Sequence, residues 1–183
     1  MAGGKKRIRV AHELPKTRRL AIKKALEEHE SEGRPDWDRS SEWGDIRYLR
    51  KRIKPGEMRT VMMPLLDVEM GDSWPIPITI FHGKRPGPVV TIIGGTHGDE
   101  LTGPSACTNL LSSKFTGPDG ALDPSYMAGT IRIVPVLNLP GYREKSRYFP
   151  DNRDLNRSFP GTSKGSTTSR VARKVRKKII SGS

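Results

Sequence analysis

The chain has 183 residues and carries 33 Lys and Arg against 20 Asp and Glu, a formal net charge of +13. That length suits one ordinary domain, although a hydrophobic content of 33% is low for a packed α/β domain. A single cysteine, Cys107, excludes an intrachain disulfide; no apolar run reaches the length of a membrane span, no hydrophobic region follows the basic N-terminus, and the cytoplasm is the expected compartment.

Residues 1–12 read as a disordered basic tail. Residues 15–31 keep a helical spacing through Leu20, Ala21, Lys24, Ala25 and Glu28. The apolar stripe is thin, so a surface helix or an appendage is expected. Residues 33–44 hold Pro35, Asp36, Asp38, Ser40 and Ser41 and read as a linker, with Trp37 and Trp43 anchoring it. Residues 1–44 are therefore expected to be an extension, and residues 45–183 the main domain.

Strand patterns begin near Met58. Val61, Met63, Leu65, Leu66 and Val68 form one run, which Pro64 restricts to an edge or a bulge. Residues 75–82 alternate in a second run, and residues 83–88 form a turn cluster. Val89-Val90-Thr91-Ile92-Ile93 is β-branched and apolar on both faces, which predicts a buried strand. A helix is expected from Thr102 to about Ser113, with Pro104 in its first turn and Cys107 as a small core residue. Residues 130–137 predict the next buried strand. The strand–helix–strand unit is long enough for a right-handed crossover. A last helix follows Ser163, with Ser166, Thr167 or Thr168 as caps and Val171, Val175 and Ile179 every four residues. The fold class is α/β, a mixed sheet with an antiparallel edge and flanking helices.

Two segments carry chemistry. The first is Gly94-Gly95-Thr96-His97-Gly98-Asp99-Glu100, directly after the Val89 strand. The glycines let the backbone turn sharply. His97 and Glu100, three apart, are zinc-type donors, at the carboxyl end of a strand where open α/β sheets bind ligands. His82, beside a turn, is a weaker candidate ligand. The second segment runs from Tyr142 to Gly161 and holds Arg143, Arg147, Arg153 and Arg157 with Asp151, Asp154 and Asn156. Arginines there suit a carboxylate substrate, which guanidinium binds bidentately.

Together, Gly94-Gly95-Thr96-His97-Gly98-Asp99-Glu100-Leu101-Thr102-Gly103 and Asp154-Leu155-Asn156-Arg157 resemble the succinylglutamate desuccinylase/aspartoacylase branch of the zinc carboxypeptidase superfamily. The resemblance spans roughly residues 55–170. It implies a carboxypeptidase-like fold, one Zn²⁺ held by His97 and Glu100, and a substrate carboxylate bound by Asn156 and Arg157. It also implies an arginine that polarises the scissile carbonyl. Arg147 is the candidate, with Arg153 as the alternative. The implied reaction is hydrolysis of an N-acyl amino acid or a related amide.

The resemblance also exposes a gap. It places a third ligand, a histidine, and a catalytic glutamate further downstream, yet residues 162–183 contain no His, Asp or Glu. The domain is expected to be incomplete here, as a fragment, as a component completed by another chain, or as a non-catalytic descendant. Little hydrolase activity is expected from these residues alone. The rival reading is a non-catalytic basic protein for nucleic acid or another polyanion. It ranks second, because no stacking platform or nucleic-acid motif accompanies the charge.

Overall fold

The computed structural model describes residues 43–65, 74–116 and 120–181. The described residues all belong to one compact unit, Ser40–Ser183. The expected tail, the 15–31 helix, Trp37, Leu66 and Val68 lie outside the described residues.

A small antiparallel hairpin opens the described part, β1 (Ile46–Tyr48) and β2 (Lys51–Ile53). The sequence reading did not anticipate it. Its two-residue turn, Leu49 and Arg50, has φ of 46° and 65°. Such turns favour Asn and Gly, and left-handed backbone costs other residues roughly 1–2 kcal/mol each.

The main sheet has the order β3-β4-β6-β5. β3 (Glu57–Pro64), β4 (Pro75–His82) and β6 (Ala128–Val134) pair antiparallel in turn, and β5 (Arg85–Ile93) pairs parallel with β6. This is the mixed sheet with an antiparallel edge that the pattern predicts. β3 is an edge strand and Pro64 is its last residue. Pro75 and Pro77 lie in β4 beyond the stretch Thr79–His82 that pairs with β6, so they interrupt no central ladder.

Both faces of the sheet are covered. Ile76, Ile78 and Ile80 alternate onto one face, where Val171, Ala172, Val175 and Ile179 complete a core with Phe149 and Leu155. These last-helix residues come from α4 (Thr167–Val175) and a π-helical turn (Arg176–Ile180). The Ser166 side chain caps α4. On the other face Phe81 and Ile133 pack with Cys107 of α1 (Thr102–Leu110), and a short α2 (Ser113–Thr116) follows.

β5 departs from expectation. Val89 and Val90 are each 47% exposed, so the strand is not buried throughout. It is an edge with β6 as its one partner in the sheet. An apolar run reads the same whether one neighbour or two cover it. The strand also starts earlier than the turn cluster suggests, at Arg85, with a register shift before Val89.

His82, the last residue of β4, is wholly buried. Its Nδ1 lies 2.9 Å from the Thr130 hydroxyl and its Nε2 2.8 Å from the Gly44 carbonyl oxygen. The Trp43 ring lies against it at 4.7 Å, and Trp43 Nε1 donates to Gly83 O at 3.0 Å. Trp43 thus anchors its segment as expected, and His82 is a core residue with both nitrogens engaged.

At the end of β5 the chain passes very close to its neighbours. A Cβ on Gly94 would sit 2.5 Å from Pro135 O and 2.8 Å from the Gly103 carbonyl carbon. One on Gly103 would meet nothing nearer than 3.4 Å. Gly94→Ala should therefore cost about 1–3 kcal/mol through forced backbone shifts, while Gly103→Ala should be neutral or slightly stabilising. Urea unfolding of the two variants checks this, and equal stabilities would refute the close approach.

Candidate functional site

The parallel pairing of β5 with β6, ending at Ile93 opposite Val134, brings two loops out side by side. Backbone bonds then lace them together. Gly94 N donates to Val134 O at 2.8 Å, Leu137 N to Gly94 O at 3.0 Å, and Asn138 N to Gly95 O at 2.8 Å. The first loop carries His97 and Glu100. The second continues into α3 (Leu139–Glu144). Gly98 packs directly on α3, where any Cβ would overlap the Gly141 carbonyl carbon and the Tyr142 nitrogen. The glycines of this loop therefore serve close backbone contact.

After α3 the chain turns at Lys145, φ 53°, and runs back across the loops. Asn138 fixes this return. Its side-chain oxygen accepts from Gly141 N at 3.0 Å, and its amide donates to the carbonyls of Arg147 and Tyr148 at 3.4 and 3.3 Å. Phe149 and Leu155 then bury in the core. Asp151 accepts from the Thr168 amide at 2.9 Å and from its hydroxyl, so the loop is clasped to the first turn of α4. Between these anchors, Asp154 caps a 3₁₀ turn, Leu155–Arg157, by accepting from Asn156 N at 2.8 Å.

Four charged or titratable side chains meet here. His97 is 6% exposed. Its Nδ1 lies 2.9 Å from Glu100 Oε1, and its Nε2 lies 3.0 Å from Asp154 Oδ1. Arg147 donates to Glu100 Oε1 and to Asp154 Oδ2, each at 3.3 Å. Burial alone would raise the Asp154 carboxyl. The hydrogen bonds from His97 and the Asn156 amide, with the His97 and Arg147 charges, outweigh it and hold the group below the usual carboxylate value.

Of the arginines considered, the structure brings Arg147 to Glu100 and Asp154. The side chain of Arg153 is exposed and makes no hydrogen bond or ion pair with the described residues. Asn156 and Arg157 stand on the rim with exposed side chains. Two further residues of the site had no role in the sequence reading, Asp154 and Asn138. Asp154 stands within the Asp-Leu-Asn-Arg motif, which was the signal for it. Asn138 stands in a strand-ending Asn-Leu-Pro-Gly, where an Asn two residues before a Pro in the first helical turn signals a cap.

The donor set suits a zinc ion in part. Two zinc ligands at about 2.0–2.2 Å in tetrahedral array lie roughly 3.3–3.6 Å apart, so His97 Nδ1 and Glu100 Oε1 would separate only slightly. Asp154 meets the other ring nitrogen, on the far side of the imidazole, and so does not converge on the same point. Among the described residues no group of three His, Cys, Asp or Glu side chains is placed to hold a metal. Among the described residues, His97 and Glu100 would thus fit two positions of a customary three.

Asn138 carries a distinct expectation. Asn138→Ala removes three hydrogen bonds from a fully buried position. The variant should lose about 1–3 kcal/mol for the groups left unpaired and should loosen the Arg147 segment. Chemical denaturation and amide exchange at residues 145–149 measure both effects. Unchanged exchange there would show that Asn138 does not hold that segment.

Comparison with known proteins fits this geometry. Residues 86–181 match the profile of the succinylglutamate desuccinylase/aspartoacylase catalytic domain. The chain is 38% identical over 98 residues to the N-alpha-acetyl-L-2,4-diaminobutyric acid deacetylase of Halomonas elongata, covering 53% of this chain and 26% of that protein. Among solved structures, an aspartoacylase family protein from Mesorhizobium loti shares 30% identity with a TM-score of 0.58, over 70% of this chain and 38% of its own. The product-bound ectoine utilization protein EutE (DoeB) of Ruegeria pomeroyi shares 30% identity with a TM-score of 0.55, over 69% and 37%. The present chain thus spans about a quarter of the deacetylase and under two fifths of these solved chains. The profile match takes in both loops of the site, and the chain belongs to the succinylglutamate desuccinylase/aspartoacylase family.

Proposed function

We propose that residues 45–183 are the first part of a zinc-dependent amide hydrolase acting on an N-acyl amino acid, with residues 1–44 as an extension. The observation that carries the metal is the surroundings of His97. With its proton on Nε2, the imidazole donates to Asp154, and the Nδ1 lone pair then faces a carboxylate oxygen at 2.9 Å. Two acceptors so close require a cation between them, either a second proton or a metal ion. A carboxylate behind the opposite nitrogen is the usual outer partner of a metal-bound histidine.

His97 and Glu100 would hold the zinc ion, with Asp154 fixing the tautomer and orientation of the ring. When bound, the ion supplies a Lewis acid that makes water nucleophilic near neutral pH. Arg147 lies beside the ligand pair, where its guanidinium can stabilise negative charge developing on the scissile carbonyl oxygen. Asn156 and Arg157, exposed on the same loop, bind the substrate carboxylate. The named deacetylase among the relatives supports an N-acyl amino acid as the substrate class. The third ligand and the general base belong to the rest of the family's domain, whose length this chain covers only in part. A chain completing the domain would supply them.

Zinc affinity, measured by competition with a chromogenic chelator, tests the site independently of turnover. His97→Ala should abolish binding, and an unchanged affinity would sink the assignment. Asp154→Asn should weaken binding by about 10–100-fold, as loss of an outer partner does. The 183-residue chain alone should turn over N-acetyl amino acids weakly or not at all. Robust hydrolysis by it would mean that the described residues already contain the complete machinery.

A further inference from the structure

On the α4 side of the sheet, away from the His97 loop, a cavity of about 670 Å³ opens between the β1–β2 hairpin, the end of β3 and the π-helical turn. Arg47, Arg50, Lys177 and Lys178 line it, with Tyr48 and Met62, and among the described residues no acidic side chain does. None of these four cations has an ion-pair partner among the described residues. A neighbouring hollow of about 370 Å³ shares Lys177 and Lys178 and continues the basic lining along α4.

Arg132 of β6 lies behind this wall. It is 3% exposed, and its guanidinium sits 4.8 Å from the Tyr48 ring centroid. One terminal nitrogen donates to Ile179 O at 3.2 Å. Its Nε has no partner, the one buried side-chain nitrogen or oxygen so placed among the described residues. The Tyr48 hydroxyl donates to Lys178 O at 2.6 Å, which ties the hairpin to the π-helical turn. A buried guanidinium without a counter-ion adds positive potential where water screens it least. The left-handed turn at Leu49 and Arg50 meanwhile holds Arg50 at the rim.

From this arrangement we infer that the cavity is an anion site for a compact oligophosphate, separate from the His97 cluster. The volume falls in the range of small-molecule pockets. Four cations lining one cavity, with no acid among the described lining residues, match an anion of several charges. Guanidinium forks pair bidentately with phosphate oxygens. Among the described lining residues the one aromatic ring, Tyr48, is already covered by Arg132, which leaves none of them as a platform on which nucleic-acid bases would stack.

Isothermal titration of the full chain with inorganic tripolyphosphate at low salt tests the site. Arg50→Glu and the double variant Lys177→Glu/Lys178→Glu should each weaken binding about tenfold or more, the scale of a lost charge-assisted contact. Lys84→Glu and Lys114→Glu, which change charge outside the cavity lining, should alter affinity far less. ATP should compete through its phosphate chain. On the unaltered protein, the Arg132 Nε–H resonance should move on saturation with tripolyphosphate. Absence of binding, equal weakening by all four variants, an unmoved Arg132 signal, or a bound single-stranded oligonucleotide that tripolyphosphate cannot displace would each overturn the inference.

Discussion

Parallel pairing of two strands is the constraint from which the site follows. Antiparallel neighbours would send the chain after β5 and the chain after β6 to opposite ends of the sheet. Because β5 and β6 run the same way, the His97 loop and the Asn138 loop emerge together, and three backbone hydrogen bonds stitch them. Gly94 and Gly98 are needed there because the stitched loops and α3 leave no room for a Cβ. The clustered side chains thus stand at the end of a sheet, and the most distant of them, Asp154, returns to it by way of a loop with several anchors.

The electrostatics of the cluster follow from that packing. One imidazole, nearly buried, has a carboxylate at each nitrogen, and a single arginine bridges both carboxylates. The two acids differ in setting. The Asp154 side chain is 16% exposed and held by a backbone amide, whereas that of Glu100 is 60% exposed. The ring thus meets a largely buried carboxylate at one nitrogen and a solvent-exposed one at the other. Arg147, itself partly exposed, is the cation that keeps this acid-rich corner balanced.

Much of this was legible from residue order. The strand at 75–82, the Gly-Gly turn, the every-fourth stripe of Val171, Val175 and Ile179, and the core position of Cys107 all reappear in the fold, although from Ile78 to His82 the strand is buried on both faces. The edge position of β5 was not legible, because the number of neighbours a strand has is a tertiary fact. Nor was the β1–β2 hairpin, whose Leu-Arg turn lacks the Asn or Gly that marks such turns. The side-chain bond between His97 and Asp154 joins residues 57 apart, and no local period carries that information. Which of Arg147 and Arg153 reaches Glu100 and Asp154 depends on which way one loop faces, which Asn138 fixes from a third segment.

The clasp between Asp151 and Thr168 has a consequence for how this part of the molecule opens. Asp151 occupies the end of α4 where amides lack helical partners, and Leu155, a few residues on, sits in the same core as Val171. Fraying α4 would release Asp151, and unseating Leu155 would strip α4 of packing. The site loop and the last helix therefore form one cooperative unit that breathes together. Local opening that exposes the Asn156 amide would also expose the first turn of α4, some ten residues along the chain and on a different element of the fold.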